Sequence, residues 1–318
     1  MAQALKVSFI WINTAKSNLK SKLYRKKIPF SISNNFRELN PGYYSLMLES
    51  LKKYHYTEER GYNENYLDTK HGKKSLQDTI YNRIEEVRHR IIPWLESCRP
   101  LSNLNIIEVG SGSGTGTIAL AEQVKSVIAL DIDSEILKVC EDRCKILHLE
   151  NVEYHCMELS NYSNNSDNLD AIIFYASLEH MTLKQRITAL RTAWKILPMG
   201  GMIIIVDTPN TLFFYDGHTS GLLFHHWISD ELAYRYVEFN PNSIFQSEKY
   251  TNEFIDLKID EFVSWGRSIS YHDFEVSFNK SIESIKILNS LSNYENEIYY
   301  IENKIISLYR LLQFKKES

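Results

Sequence analysis

Between residues 104 and 208 the sequence alternates short apolar segments with amphipathic ones. The apolar segments have the length of buried strands, and the amphipathic segments have helical spacing. The predicted strands are NIIEV, SVIALDI, NVEYHCM, LDAIIFYA and MIIIVDT, and the predicted helices between them are TGTIALAEQV, SEILKVCEDRCKIL and KQRITALRTAWKIL. Because parallel strands need a crossover between them, this alternation predicts an α/β fold with a doubly wound, mostly parallel sheet and helices on both faces.

The flanking segments divide the chain into five predicted regions. They are a basic N-terminal arm or lid (1–75), the core (76–207), a substrate-side insertion (208–250), an antiparallel hairpin that completes a seven-stranded sheet (251–280) and a long C-terminal helix (281–318). The arm contains KSNLKSKLYRKK, whose six positive charges are either solvated or in contact with an anionic partner. The core opens with an amphipathic helix over 76–97. The C-terminal helix has a heptad-like stripe from Leu291 to Leu312, which either packs on the body or forms a homodimer seam.

Composition and charge exclude several classes of protein. The 318 residues include 36 basic and 40 acidic side chains, a formal net charge of −4, so nucleic acid is not an expected partner. The longest apolar runs are far below the roughly 20 residues that span a membrane, and no membrane span is expected. The cysteines Cys98, Cys140, Cys144 and Cys156 form no CxxC pair, which is typical of buried thiols in a reducing cytoplasm.

The first predicted strand leads directly into alternating glycines in IIEVGSGSGTG, residues 106–116. A phosphate-binding P-loop requires GxxxxGK[ST], and no lysine or arginine occurs between 106 and 124. A dinucleotide fingerprint requires GxGxxG, and threonine occupies the third glycine position in the registers that begin at Gly110 and Gly112. The pattern that remains is E-x-G-x-G-x-G, with Glu108 near the end of the strand.

This pattern resembles motif I of the class I S-adenosylmethionine (SAM)-dependent methyltransferases. The resemblance covers about residues 80–210 and implies a Rossmann-like fold, methyl transfer and SAM as the cofactor. The chemistry of the ligand agrees, because SAM brings an ammonium and a sulfonium but no pyrophosphate, and a carboxylate at Glu108 suits a cation. Gly110, Gly112 and Gly114 allow unusual backbone angles and a close approach to the ligand.

Further positions match this family in order along the chain. Asp131 ends the second predicted strand, 21 positions after Gly110, where a carboxylate suits ribose hydroxyls. Glu158 stands where the family has an acidic residue, more often Asp, near the adenine amine. The resemblance also assigns cofactor contacts to Ser111, Ile132, Leu159 and Tyr175.

The acceptor of the methyl group is expected beyond the carboxyl ends of the strands, where ligands bind in open α/β sheets. If the acceptor is a hydroxyl, a general base helps to remove its proton, and histidine is the usual choice near neutral pH. His218 beside Asp216 is the leading candidate for the base or for a substrate contact. His272 is the second candidate and His180, in the segment LEHM, is the third. For each of them an ordinary role in loop hydrogen bonding or packing is the alternative.

A divalent ion is a further alternative, but the spacing of its candidate ligands matches no strong metal motif, and no metal site is predicted. Those candidate ligands are Asp207, Asp216, His218, His225 and His226. The aromatic residues of the insertion suit stacking on a sugar or a flat organic molecule. The sequence therefore predicts a SAM-dependent methyltransferase that acts on a hydroxyl of a small molecule, sugar or glycan. N-methylation, a non-catalytic SAM-binding protein that assembles a complex, and an NAD-dependent oxidoreductase are the alternatives.

Overall fold

In a computed structural model of the chain, the described residues are 36–163, 168–236, 239 and 255–281, together with the strands Lys286–Ile287 and Leu311–Lys315. They belong to one compact unit, Ile32–Ser318. The basic segment KSNLKSKLYRKK of the predicted arm lies outside the described residues. Within the described ranges, none of the helices has the length and apolar character that crossing a bilayer requires.

Five parallel strands form the centre of the fold. They are β1 (Asn105–Val109), β2 (Ser126–Asp131), β3 (Val152–Cys156), β4 (Ala171–Tyr175) and β5 (Met202–Val206). Their order is β3-β2-β1-β4-β5, which confirms the predicted α/β fold with a parallel sheet. Strands β1, β4 and β5 are rich in isoleucine because helices cover both of their faces. The carboxyl ends of all five strands meet at one edge of the sheet.

Helices on both faces form two hydrophobic cores. The larger helices of this part of the chain are α1 (Pro41–Tyr54), α2 (residues 70–98), α3 (Thr115–Ala121), α4 (Ser134–Ile146) and α5 (Leu183–Ile196). On one face, Leu190 of α5 packs with Ile172 and Ile203. On the other, Trp94 of α2 packs with Ile173. Neighbouring residues of a strand thus point into opposite cores, as strand geometry requires.

Helix α2 confirms the amphipathic helix that was predicted over 76–97. Its α-helical parts are interrupted by two π-helical turns, Asp78–Asn82 and Val87–Ile91. The predicted apolar stripe is buried, as shown by Ile80, Ile84 and Val87. The π-helical turns are not visible in the sequence, because the spacing of apolar residues hardly changes across them.

The part of the predicted arm that the structure describes is ordered and packed, which corrects the prediction for Pro41–Tyr54. Helix α1 begins at the N-cap Asn40, whose side chain accepts a hydrogen bond from the main chain of Tyr43. Met47 and Leu51 are fully buried in a core shared with α2 and α4. The residues 43, 47 and 51 follow one another at helical spacing, so they form one apolar face.

The antiparallel hairpin predicted for 251–280 is wrong over the described residues of that range. After α6 (Asp230–Arg235), residues Ile255–Ser264 form α7 and Tyr271–Phe278 form α8. Phe262 and Val263 of α7 are buried, and Phe262 packs on Ala233 of α6. The apolar residues of these segments fit helical spacing as well as alternation, and packing against α5 and α6 favours the helices. Residues 251–254 lie outside the described residues.

The predicted C-terminal helix is wrong at two segments, which the structure describes as strands. Residues Leu311–Lys315 form β7, which pairs antiparallel with β5, and Lys286–Ile287 form β6, which pairs with β7. Without β7 the main chain of β5 would present unpaired hydrogen-bonding groups at an open edge, and pairing removes that cost. The rest of the heptad-like stripe, and with it the predicted homodimer seam, lies outside the described residues.

Candidate active site

The turn after β1 depends on three glycines with positive φ, Gly110 (+78°), Gly112 (+52°) and Gly114 (+81°). A Cβ at Gly110 would lie 2.6 Å from the Cβ of Ser177, and a Cβ at Gly114 would lie 2.7 Å from the Sγ of Cys140. At Gly112, a Cβ would have no atom of the described residues within 4 Å. Packing within the protein therefore requires Gly110 and Gly114, and Gly112 is the member that faces open space.

Asp131, at the carboxyl end of β2, is hydrogen bonded to this turn. Its Oδ2 accepts from the main-chain N–H of Gly112 at 2.7 Å, and its Oδ1 accepts from that of Asp133 at 3.0 Å. Burial raises the pKa of the Asp131 carboxyl, and these two hydrogen bonds oppose the shift. The next residue, Ile132, is 67% exposed although it is apolar. Because a carboxylate has about four acceptor positions, Asp131 retains capacity for hydroxyl donors beside this exposed apolar surface.

Arg143, which the sequence analysis missed, supports the glycine turn from α4. It is fully buried, and its Nε donates to the carbonyl of Ser113 at 2.7 Å. Its Nη1 donates to the hydroxyl of Tyr43 and its Nη2 to the carbonyl of Thr79 at 3.3 Å. The guanidinium therefore links the turn to α1 and α2. The only sequence signal is that Arg143 lies on the apolar face of α4, four residues after Val139.

We expect the variant Arg143→Met to lose about 2–4 kcal/mol of unfolding free energy, because hydrogen bonds from a charged donor contribute about 1.5–3 kcal/mol each and their acceptors would be left buried. Methionine keeps an apolar stem of similar length. Urea unfolding measures the effect. The control Arg191→Met, at an exposed position of α5, is expected to change stability by less than about 0.5 kcal/mol. Equal stabilities of the two variants would contradict the role assigned to Arg143.

Glu108 lies beneath the beginning of α3. It is 1% exposed, and its Oε2 accepts a hydrogen bond from the Oγ1 of Thr117 at 2.5 Å. Its Oε1 would lie 2.4 Å from a Cβ at Gly116, so only glycine fits above it. Burial raises the pKa of the Glu108 carboxyl to about 8, although the hydrogen bond from Thr117 opposes this. The carboxyl is therefore largely protonated at pH 7, and its contact with a cation stays a prediction.

The free energy of unfolding should fall as the pH rises from about 4.5 to 8. Burial raises the pKa of both Glu108 and Glu179 to about 8. In this window the unfolded chain has already released these protons while the folded chain still holds them, so deprotonation favours unfolding. Each carboxyl contributes a slope of about 1.4 kcal/mol per pH unit.

Urea unfolding of the variant Glu108→Gln at several pH values checks this prediction. The variant should be more stable than the wild-type protein at pH 8, and the difference should disappear towards pH 4.5. Glu150→Gln, at an exposed position, is the control that should keep the wild-type pH dependence. An identical pH dependence in all three proteins would show that Glu108 is not buried as described.

Strained backbone and buried hydroxyls lie at the carboxyl ends of β1, β4 and β5. Ala176 (φ +46°) and Asp207 (φ +55°) directly follow these strands in the left-handed region, which non-glycine residues rarely adopt. The hydroxyls of Ser111 and Ser177 are buried here without a hydrogen-bond partner among the described residues. Tyr175 ends β4 at the same edge, and burial raises the pKa of its phenol. Strain and unpaired polar atoms of this kind cluster at ligand-binding sites.

Glu158 and Leu159 follow β3 at this edge, and the structure places them differently. Glu158 is exposed, and its carboxylate accepts a hydrogen bond from the hydroxyl of Ser160 at 3.1 Å. The side chain of Leu159 is 1% exposed and packs into the core that contains α5. A contact between Leu159 and a ligand would therefore involve its main chain.

Beyond β4, the structure brings His180 and His218 together, with ring centroids 6.3 Å apart. Glu179 lies beside them and is fully buried. Its Oε2 accepts from the hydroxyl of Thr208 at 3.0 Å, and its Oε1 lies 3.9 Å from the Nε2 of His180. The Nδ1 of His180 lies 2.8 Å from the carbonyl of Ser264. Two of the three predicted histidines therefore share one cluster with a buried carboxyl that the sequence analysis did not select.

The predicted pairing of His218 with Asp216 is not formed by the side chains. Asp216 is fully buried and accepts from the main-chain N–H of His218 at 3.0 Å. Its oxygens lie 3.4 and 3.3 Å from ring nitrogens of His225 and His226. Burial alone would raise the pKa of the Asp216 carboxyl, but hydrogen bonds from these histidines hold it well below its usual range. Asp216 therefore stabilises its own loop, which is why it does not orient the His218 imidazole.

His272 is not brought to this cluster. It is exposed on α8, where its Nδ1 lies 3.1 Å from the hydroxyl of Ser270 and its ring stacks on Tyr271 with centroids 3.9 Å apart. Among the described residues, the side chain of His272 thus contacts its neighbours Ser270 and Tyr271. Its position follows from the helix that replaces the predicted hairpin.

The strand order, the glycine turn after β1 and the carboxylate at the end of β2 together define the Rossmann-like fold of the class I methyltransferases. Residues 106–201 match the family described as a methyltransferase domain. The chain thus carries a class I SAM-dependent methyltransferase domain, with SAM as its cofactor. The predicted family, enzyme class and cofactor are confirmed, and the oxidoreductase alternative is set aside.

Solved structures similar to this chain include phosphoethanolamine N-methyltransferase 1 of Haemonchus contortus, at 16% identity over 56% of this chain and 34% of that chain, with a TM-score of 0.38. Magnesium protoporphyrin IX methyltransferase of Synechocystis PCC 6803 is 13% identical over 76% of this chain and 87% of that chain, with a TM-score of 0.47. A SAM-dependent methyltransferase of Clostridium acetobutylicum is 15% identical over 78% of this chain and 99% of that chain, with a TM-score of 0.45. This chain spans 34% of the length of the first of these proteins. No curated protein matches the sequence.

Proposed function

We propose that the protein transfers the methyl group of SAM to a hydroxyl group of a small molecule or sugar. The observation that carries this proposal is the cluster of Glu179, His180 and His218 at the ends of β4 and β5. The cluster adjoins the glycine turn, because Ser177, which lies against Gly110, is two residues before Glu179 in the chain. Imidazoles are the side chains best suited to receive a hydroxyl proton near neutral pH.

The residues around the glycine turn fit SAM. Ser111 and Ser177 offer buried hydroxyls without a partner among the described residues, and Gly112 faces open space. Exposed Ile132 offers an apolar surface beside the acceptor oxygens of Asp131. When bound, SAM supplies a methyl group that its sulfonium makes electrophilic.

Each predicted cofactor contact is assigned accordingly. Asp131 would accept hydrogen bonds from the ribose hydroxyls. Glu108, which lies beneath the beginning of α3, would be near the cationic amino acid end of SAM. Glu158 and the main chain of Leu159 would lie near the adenine, and Tyr175 would border the cofactor at the end of β4. The hydrogen bond from the main chain of Gly112 to Asp131 supports this assignment, because it holds the carboxylate beside the glycine turn. The carboxylate can still accept hydrogen bonds from the ribose hydroxyls.

The acceptor side depends on the tautomer of His180. A carbonyl oxygen only accepts hydrogen bonds, so the contact with Ser264 places the proton of the neutral ring on Nδ1. The Nε2 of His180 then keeps its lone pair and can take the proton of an acceptor hydroxyl. His180 therefore takes the place of His218 as the leading base, and His218 lies beside it as a second acceptor-side group. Methyl transfer is an in-line displacement, so the protein must also align the acceptor oxygen with the methyl carbon and the sulfur of SAM.

Transfer from radiolabelled SAM to a panel of phenols, sugars and amines tests the proposal. We expect label in at least one hydroxyl acceptor, with the amines of matched shape unlabelled. Label confined to amines would contradict hydroxyl methylation. Binding of S-adenosylhomocysteine without transfer to any member of the panel would favour a non-catalytic SAM-binding protein.

We also propose a reducing location such as the cytoplasm. The thiols of Cys140 and Cys144 are buried, that of Cys156 is exposed, and all three are free. Free cysteines of this kind are typical of proteins in a reducing compartment.

A further inference from the structure

The cluster at the end of β4 has the composition of a metal site. One carboxylate oxygen of Glu179 and one ring nitrogen each of His180 and His218 lie within 4.8 Å of one another. We propose that these three residues bind a divalent transition-metal ion, with Zn²⁺ as the best chemical match. The inference rests on the proposed function and refines it. In the metal-free protein the Nε2 of His180 is the proposed base. When the ion is bound, Nε2 is its ligand, and the ion would lower the pKa of the acceptor hydroxyl in place of the imidazole. Its binding can nevertheless be measured without any methyl transfer.

Glu179 offers an oxygen that the described residues leave unpaired. The residue is fully buried, and the hydroxyl of Thr208 occupies its Oε2 at 3.0 Å. Its Oε1 is buried without a hydrogen-bond partner in the described part of the chain, and it lies 3.9 Å from the Nε2 of His180. Most buried polar atoms in proteins have a partner, so an unpaired carboxyl oxygen close to two imidazoles points to a bound cation.

His180 is held in the orientation and tautomer that a metal ligand requires. The carbonyl of Ser264 accepts a hydrogen bond from the Nδ1–H at 2.8 Å, which leaves a lone pair on Nε2, 3.9 Å from the Oε1 of Glu179. Histidine ligands of metals commonly donate their second ring N–H to a carbonyl or carboxylate in this way. The side chain of His180 is 44% exposed, so an ion has a path to the site.

One loop between α7 and α8 supports all three residues. The carbonyl of Ser264 holds His180, and the main-chain N–H of Arg267 donates to the carbonyl of Glu179 at 2.8 Å. Gly266 has a φ of +121°, and a Cβ there would lie 3.1 Å from the Cδ2 and Nε2 of His218. A side chain at this position would therefore displace His218. The segments that make these contacts are far apart in sequence, and they converge on one small volume.

The ligand types favour Zn²⁺. Two imidazole nitrogens and one carboxylate oxygen suit Zn²⁺ and its neighbours rather than Mg²⁺, which prefers oxygen ligands. Three protein ligands with an open fourth position are the usual arrangement of a catalytic zinc ion. With metal–ligand distances of about 2.0–2.2 Å, tetrahedral ligands lie about 3.3 Å apart, so the cluster would contract slightly on binding. The side chain of His218 is exposed.

The neighbouring group of Asp216, His225 and His226 also lies within 4.8 Å, but it is a poorer site. The oxygens of Asp216 already accept hydrogen bonds from the main chain of its own loop. All three residues are buried, and the Nη1 of Arg267 lies 3.3 Å from the Nδ1 of His225. A guanidinium at that distance disfavours a second cation.

Calorimetric titration of the chelator-treated full chain with Zn²⁺ tests the inference. We expect one ion per chain, and tetrahedral absorption bands when Co²⁺ replaces Zn²⁺. His218→Asn and Glu179→Gln should each weaken Zn²⁺ binding by at least about 100-fold. Loss of a residue that only supports a metal ligand weakens binding by about 10–100-fold, so loss of a ligand should exceed that range. His71→Asn, an exposed histidine of α2, is the matched control and should bind like the wild-type protein. No binding by the wild-type protein, or equal binding by His218→Asn and His71→Asn, would overturn the proposal.

Titration of the same variants with S-adenosylhomocysteine distinguishes loss of the metal site from loss of the fold. Wild-type affinity for this ligand shows that a variant is folded, so its loss of Zn²⁺ can be assigned to the site. If His226→Asn lost Zn²⁺ while His218→Asn kept it, the ion would be in the other cluster and the proposal would be wrong. Failure of the proposed function gives a different result, namely normal Zn²⁺ binding with label transferred to amines alone.

Discussion

The variant Asp131→Ala is expected to bind S-adenosylhomocysteine about 100-fold more weakly than the wild-type protein. The carboxylate of Asp131 holds the N–H of Gly112 at 2.7 Å and is proposed to receive the ribose hydroxyls. Each hydrogen bond to a charged acceptor contributes about 1.5–3 kcal/mol. A loss of about 3 kcal/mol corresponds to the factor of about 100, since every 1.4 kcal/mol is tenfold in affinity. Isothermal titration calorimetry measures the change.

Asp170→Ala is the matched control for this prediction. Asp170 also accepts a main-chain hydrogen bond, from Asn105 at 2.9 Å, but it lies before β4, at the opposite edge of the sheet. We expect this variant to lose some stability and to keep its affinity for S-adenosylhomocysteine. Unchanged affinity in Asp131→Ala, or an equal loss in both variants, would refute the assignment of Asp131 to the ribose.

The variant His180→Asn is expected to lower kcat by about 10²–10⁴-fold, the usual contribution of a general base, without a change in the affinity for S-adenosylhomocysteine. The amide of asparagine can still donate to the carbonyl of Ser264, as the Nδ1 of His180 does. The substitution therefore removes the Nε2 and leaves the loop contact in place. Steady-state kinetics with the acceptor found in the panel gives kcat and KM separately.

His272→Asn is the comparison for this second prediction. The sequence made His272 a candidate for the same role, and the structure places it on the exposed surface of α8, in contact with Ser270 and Tyr271. Its substitution should leave kcat unchanged. A full kcat in His180→Asn, or a loss of the same size in His272→Asn, would mean that the cluster does not contain the base.

The parallel sheet was predictable because each of its strands is a short, nearly continuous apolar run. Such runs have few alternatives when helical segments separate them. The elements that were mispredicted have sequence patterns that fit both a helix and a strand. The segment around Phe262 and Val263 fits a strand or a helix, and only packing on α6 decides between them. The segment Leu311–Lys315 continues a helical stripe in the sequence, but the open edge of β5 pairs with it instead.

The residues assigned to the cofactor could be selected from the sequence because they lie at fixed positions after β1 and β2. In the structure the carboxylate of Asp131 accepts a hydrogen bond from the main chain of Gly112 in the turn. The acceptor side was not predictable in the same way, since Glu179, His218 and Gly266 meet only after the chain has folded. The role of Arg143 could not be predicted for a similar reason, because its hydrogen-bond partners come from two other helices and the turn.

The most direct test of hydroxyl methylation is NMR of the product made with SAM that carries ¹³C in its methyl group. The labelled carbon should show the chemical shift and couplings of a methyl ether, and its appearance should depend on His180. A labelled N-methyl group, formed equally well by the wild-type protein and by His180→Asn, would contradict the proposed role of the cluster of Glu179, His180 and His218.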